Sequence, residues 1–271
     1  MFRACPDVRL AIQYGDDRPG VALIATNGGP TRDDRGAVLF DFGGTLDADG
    51  LRWSVRFHEA YAAGGGQLGA DAFEALFRQS DRALETFPGI RGLGFRVMLE
   101  TQAGILRTLL PDGTSIDPDA IANRVHQQAM QIVARNRPLL EALRPRFRLG
   151  IISNFTGNLG VCLMELGIRD LFEIVTDSAI LGFAKPDARP FAHTIEALGL
   201  RPQETWMVGD NFESDIRPGA KLGMQTIWLA PAQRPLPPGC VPTARIASLT
   251  ELPRVLASAT LPPRDRSQCT A

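Results

Sequence analysis

Three short apolar runs, each closing on a polar residue, constrain this 271-residue chain more than any other feature. They are Ala37 to Phe40 before Asp41, Leu149 to Ile152 before Ser153, and Trp206 to Val208 before Gly209 and Asp210. Runs this short with no polar face suit strands buried on both sides, the kind found in parallel sheets. Between and after them lie helical patterns with a shared ending, in Leu166-Gly167-Ile168, Leu198-Gly199-Leu200 and Leu222-Gly223-Met224. Glycine just past a helix lets the chain turn back, and the apolar residue after it can cover the last turn. Strands alternating with helices in this way predict an α/β fold, a parallel sheet with helices on both faces. Ligands bind such sheets beyond the carboxyl ends of the strands, where Asp41, Ser153 and Asp210 fall.

The stretch from Arg52 to Asn136 has a different pattern, with helical segments at Arg52 to Ala63, Ala70 to Leu84, Phe95 to Leu110 and Pro118 to Arg135. Asp117-Pro118 is a helix start, because Asp caps free backbone N–H groups and Pro suits the first helical position. Ile121, Val125, Ala129 and Ile132 form an apolar stripe after it, as helix packing inside an inserted module requires. The expected organisation is a 1–35 N-terminal extension, a core of 36–51 and 137–258, a helical cap of 52–136 and a 259–271 tail. Val21 to Thr26 could add an edge strand to the extension. A net charge of −1 without a block of Lys or Arg argues against general nucleic-acid binding, and favours small ligands. Four scattered cysteines without a Cys-x-x-Cys pair fit neither a zinc knuckle nor a disulfide framework. With no leader-like amino terminus and no apolar run of membrane-spanning length, the expected setting is the cytoplasm, without membrane partners.

Four signals occur in one order: Asp41-Phe42-Gly43-Gly44-Thr45-Leu46-Asp47, then Ile151-Ile152-Ser153-Asn154, then Lys185-Pro186, then Gly209-Asp210-Asn211 followed by Asp215. Singly, each has an ordinary explanation as a turn residue, a helix cap or a solvated lysine. Together they resemble the haloacid dehalogenase superfamily, over roughly Gly36 to Gly50 and Pro138 to Ala257, with the helical insert where many members carry a cap. That resemblance implies a Rossmann-like core with an inserted α-helical cap, and a hydrolase. It assigns Asp41 as the nucleophile, Lys185 as the group orienting it, Ser153 and Asn154 to phosphate binding, and Asp41, Asp210, Asp215 and the Gly43 carbonyl to a metal. Three carboxylates gathered at the site of an anionic substrate need a compensating cation, and Mg²⁺ suits carboxylate, water and phosphate oxygens. The expected activity is Mg²⁺-dependent hydrolysis of a small phosphorylated metabolite through an aspartyl-phosphate.

One position departs from the pattern. Phosphatases of the superfamily usually carry Asp two residues after the nucleophile, as acid and base; this chain has Gly43. Losing such a group costs roughly 10²- to 10⁴-fold, most on alkyl esters, whose leaving groups need a proton. Asp47, Asp49 and His58 are candidates to supply it. A weakened member that only binds a phosphorylated ligand or a protein is one alternative, and a 2-haloacid dehalogenase is another; retention of Asp210 and Asp215 favours a metal enzyme. A Schiff-base hydrolase has no amine in the cap, since Lys occurs only at 185 and 221. Arg52, Arg56, Arg78, Arg82, Arg91 and Arg96 are the cap's possible anion contacts, and Trp53 and Tyr61 possible closure contacts.

Overall fold

The computed structural model describes residues 34–111 and 116–257. The possible strand at Val21 to Thr26, the expected tail, Cys5 and Cys269 lie outside them. From Arg35 onward the described chain forms one compact unit. Its sheet has six parallel strands, β1 (Gly36–Phe40), β2 (Phe147–Ser153), β3 (Ile174–Asp177), β4 (Thr205–Gly209), β5 (Gln225–Leu229) and β6 (Ala244–Ile246). Their order is β3-β2-β1-β4-β5-β6. The three apolar runs supply the three middle strands. Alternate residues of β1 enter different cores: Val38 and Phe40 pack on one face with Leu149 and Ile151, Ala37 and Leu39 on the other with Phe191 and Ile195. A strand with both faces covered has no polar position to offer, hence the unbroken apolar run.

Four helices fill the insert, α1 (Trp53–Ala63), α2 (Ala70–Glu85), α3 (Phe95–Leu109) and α4 (Pro118–Leu143). The Asp117 carboxylate caps α4 by accepting from the Asp119 N–H at 3.0 Å. The helix passes its expected end at Arg135 and runs to Leu143, so the junction expected between 136 and 137 lies inside one unbroken element. Pro138 removes one hydrogen bond there, but burial of Leu140 and Leu143 and a bond from the Asn136 amide to the Leu46 carbonyl (3.0 Å) hold the last turns. Its apolar stripe continues through Val133, which is buried, in place of the expected Ile132, which is half-buried.

Around the sheet lie α5 (Leu159–Glu165), α6 (Ser178–Leu181), α7 (Arg189–Ala197), α8 (Arg217–Lys221) and α9 (Leu252–Ala257). The repeated helix endings behave as expected: Ile168, Leu200 and Met224 donate back to the carbonyls of Leu163, Ile195 and Gly219 at 3.0, 3.1 and 3.0 Å. All three apolar residues are buried by the fold-back. The chain builds outward from β1 in one direction, then returns to β4 on its other side. The crevice between the carboxyl ends of β1 and β4 is therefore the switch point of the sheet.

Candidate active site

Asp41 follows β1 directly and Asp210 follows β4, so the switch point brings both carboxylates together. The Asp41 N–H donates to the Val208 carbonyl at 2.9 Å, continuing the ladder one residue past the strand. Asp215 enters from the wide turn after β4. Carboxylate oxygens of Asp41, Asp210 and Asp215 lie within 4.8 Å of one another, and all three residues are buried. Lys185 spans the cluster: its Nζ donates to Asp41 Oδ1 at 2.8 Å, to Asp215 Oδ1 at 2.6 Å and to the Ile152 carbonyl at 2.8 Å. Thr45 holds Asp210 twice, its hydroxyl donating to Oδ1 at 3.2 Å and accepting from the Asp210 N–H at 3.1 Å. The motif glycines have a steric reason. Gly44 has a φ of +91°, and a Cβ there would lie 2.7 Å from Asp210 Oδ1; a Cβ on Gly209 would collide with the Asp215 carboxylate.

Burial makes this charge costly. It pushes Asp210 up to about 8, with the charges of Asp41 and Asp215 adding to it. Burial likewise raises Asp215 to about 6, against the opposing pull of Lys185. For Lys185 burial works against the charge, but Asp215 and Asp41 outweigh it and the ammonium is held above its ordinary range. One lysine thus faces three acids. A cation among them removes the imbalance, and the donor set, three carboxylates beside an anion site, suits a hard divalent ion such as Mg²⁺.

At the end of β2, Ser153 is buried at the cavity wall and its hydroxyl makes no bond to another described residue. Asn154 has a structural job that the sequence did not indicate: its Nδ2 donates to the Lys185 carbonyl and its Oδ1 accepts from the Lys185 N–H, both at 2.8 Å. One N–H and the Oδ1 of the carboxamide place Lys185, and Asn154 also lines the cavity. Asp177, which the sequence motifs did not single out, organises the loop beyond. Its carboxylate accepts from the N–H groups of Gly157, Leu159 and Ala179 at 3.0 to 3.1 Å. Asp177 closes β3, a strand too short and mixed to be read from the sequence, so no local signal marked it.

Around these groups opens a cavity of about 410 Å³, lined by Asp41, Gly43, Ser153, Lys185 and Asp210 and by residues of the insert. Gly43 faces the Trp53 indole, whose Nε1 is 3.5 Å from where a Cβ would sit. That Nε1 donates to Asp47 Oδ2 at 2.7 Å. Asp47 also accepts from Arg56 Nη1 at 2.7 Å and from the Gly44 N–H at 2.8 Å. Burial raises its pKa, with Arg56 opposing. None of the candidate substitutes for the missing acid reaches the cavity wall. Asp47 is enclosed in its own bonds, Asp49 pairs with Arg135 and accepts from the Leu249 N–H, and the His58 Nε2 meets the Leu68 carbonyl. Of the six arginines only Arg52 lines the cavity. Trp53 lines it as well, whereas Tyr61 is buried against Phe73.

Fold and site define a class: a doubly wound α/β hydrolase core with an aspartate at the switch point and a helical insert above it. A family model for haloacid dehalogenase-like hydrolases matches residues 36–223, and the chain belongs to that family. It is 39% identical over 120 residues to pyrimidine 5'-nucleotidase YjjG of Escherichia coli (strain K12), 44% of this chain and 53% of that protein. Over 115 residues it is 33% identical to a phosphoserine phosphatase of Thermus thermophilus, 42% of this chain and 46% of that protein. The chain thus spans about half the length of these relatives. A crystal structure of a dehalogenase superposes with a TM-score of 0.58 at 21% identity, covering 84% of this chain and 99% of that one, a likeness of fold alone. No helix among the described residues is long and apolar enough to cross a membrane.

Proposed function

We propose that this hydrolase is a Mg²⁺-dependent phosphatase of a small phosphorylated metabolite in the cytoplasm, with no nucleic-acid or membrane partner. The observation that carries it is the Lys185 ammonium between Asp41 and Asp215, beside Asp210 and a cavity large enough for a metabolite. Asp41, Asp210, Asp215 and the Gly43 carbonyl would hold Mg²⁺, which would supply charge neutralisation at the phosphoryl group. Lys185 fixes the rotation of the Asp41 carboxylate. A carboxylate oxygen of Asp41 forms a bond to phosphorus as the ester oxygen departs with its electron pair. Water then attacks the phosphorus of the aspartyl-phosphate, returning the Asp41 carboxylate and releasing inorganic phosphate. Ser153 takes a non-bridging oxygen, and the buried setting makes each of these contacts worth more than in water. The relatives named for nucleotide and phosphoserine hydrolysis support phosphate esters as the substrate class.

Gly43 favours a second reading, a member that binds phosphorylated ligands or a protein with little turnover, because no carboxyl stands where Trp53 covers the loop. Assays with acetyl phosphate, an aryl phosphate and a 2-haloacid, each with Mg²⁺ or a chelator, separate the possibilities. Mg²⁺-dependent release of phosphate is expected from the first two. Haloacid turnover that survives chelation would establish dehalogenation, and Mg²⁺-dependent binding without turnover would establish the binding module.

A further inference from the structure

Beside Gly43 the cavity has an aromatic wall. Trp53, at the start of α1, and Phe155, in the loop after β2, both line it, and both are half-buried. Their rings meet edge to face, with centroids 6.1 Å apart and planes at 86°. Two buried rings close the set: Phe42 meets Phe95 at 6.0 Å and Phe155 at 5.6 Å, and Phe95 meets Trp53 at 5.9 Å, every pair edge to face. In this closed cycle the orientation of each ring is set by two neighbours. Polar anchors fix the same two cavity residues. The Trp53 Nε1–H, the only polar group of the indole, is spent on Asp47, itself paired with buried Arg56. The Phe155 N–H donates to Ser178 Oγ at 3.0 Å, and that hydroxyl donates back to the Phe155 carbonyl at 3.3 Å. What the two residues offer a ligand is therefore ring surface held in a fixed place. Charge gives no comparable selection, because exposed Arg52, Asp81 and Glu85 line the same cavity with both signs.

We infer that Trp53 is a specificity-determining residue, and that the substrate carries a planar aromatic ring on its leaving-group side, seated against Trp53 and Phe155 while the phosphoryl group sits at Asp41. The inference rests on the phosphatase reading and specifies its substrate class. Position 43, two residues after the nucleophile, marks the leaving-group side, and the Trp53 Nε1 is 3.5 Å from where a Cβ of Gly43 would sit. The aromatic wall thus stands where the leaving group departs. A flat ring there gains contact with two rings already fixed in orientation, whereas a saturated ring of the same size buries its area without that gain. A ring bonded directly to the leaving oxygen also departs without a proton, which suits the absence of an acid at Gly43.

The experiment compares phenyl with cyclohexyl phosphate and benzyl with cyclohexylmethyl phosphate. In the second pair both leaving groups are alkoxides, so a preference there comes from recognition of the ring and not from leaving-group acidity. Binding is measured by calorimetry on the Asp41→Asn protein with Mg²⁺, and kcat/KM on the wild type. In at least one pair the aromatic compound is expected to bind about three- to tenfold tighter than its saturated partner, the range of one aromatic contact. Adding Trp53→Leu should bring the partners within about twofold of each other. Trp53→Phe, which keeps a ring but loses the bond to Asp47, should retain the preference. If the Trp53→Leu protein does not fold, Phe155→Leu, on the other side of the wall, should reduce the preference. Equal affinity within both pairs, a preference that survives Trp53→Leu or Phe155→Leu undiminished, or an equal loss in Trp53→Leu and Trp53→Phe overturns the inference and leaves the phosphatase reading standing. If no phosphate binds or is turned over, both fall.

Discussion

Removing the Lys185 ammonium leaves the carboxylates of Asp41 and Asp215 without their shared partner in a buried site. Lys185→Met is therefore expected to lower kcat by about 10²- to 10³-fold, the range for losing a preorganised charged donor. A steady-state loss of only a few-fold would show that Asp41 is not oriented by it. Gly43 poses the opposite question. Its backbone, at φ −71° and ψ 118°, suits any residue, and a Cβ would meet Trp53 at ordinary contact distance, so the loop can accept a side chain. Gly43→Asp should raise activity on a sugar phosphate about 10- to 100-fold more than on an aryl phosphate, because only the alkoxide leaving group needs the proton. Equal changes on the two would assign the glycine another role. These residues were legible in the sequence because they sit in short motifs, after a strand for Gly43 and before a proline for Lys185. The hold of Asn154 on Lys185 was not legible, since nothing in the local sequence shows that its carboxamide meets the Lys185 backbone 31 positions away.

Between elements, the buried Asp47–Arg56 pair ties the loop after β1 to α1, and Arg56 reaches on to the Val125 carbonyl of α4 at 2.7 Å. Arg56→Met strands a buried carboxylate and should destabilise the protein by about 3–5 kcal/mol. The double variant with Asp47→Leu should lose less than the two single losses summed, measured by urea denaturation; strict additivity would mean the two do not act as a pair. Helix ends and middle strands followed from patterns a single segment contains, as in Leu166-Gly167-Ile168. Strands β3, β5 and β6 did not, because they are only 4, 5 and 3 residues long and their short patterns include Thr, Asp, Gln and Arg. The end of α4 was hidden by Pro138, a helix breaker outweighed by burial that only the tertiary fold supplies.

Across the whole molecule, three acids and one lysine at the switch point couple charge to stability. Asp210 and Asp215 titrate above their ordinary carboxylate values, so the folded protein binds protons that the unfolded chain releases. The sign follows: metal-free protein loses stability as pH rises from about 4 toward 8, through the window between unfolded and folded values. On the proposed reading Mg²⁺ would displace those protons, so its stabilisation should be larger near about pH 8 than near about pH 5.5, read as the shift in Tm with and without chelator. A shift independent of pH would place the ion elsewhere. The most direct test of the central claim is the mass of acid-quenched protein after mixing with acetyl phosphate and Mg²⁺. A covalent phosphoryl adduct of about 80 Da, mapped to Asp41 and lost in Asp41→Asn, is the expected result. Phosphate release without any adduct, or an adduct that persists in Asp41→Asn, would contradict it.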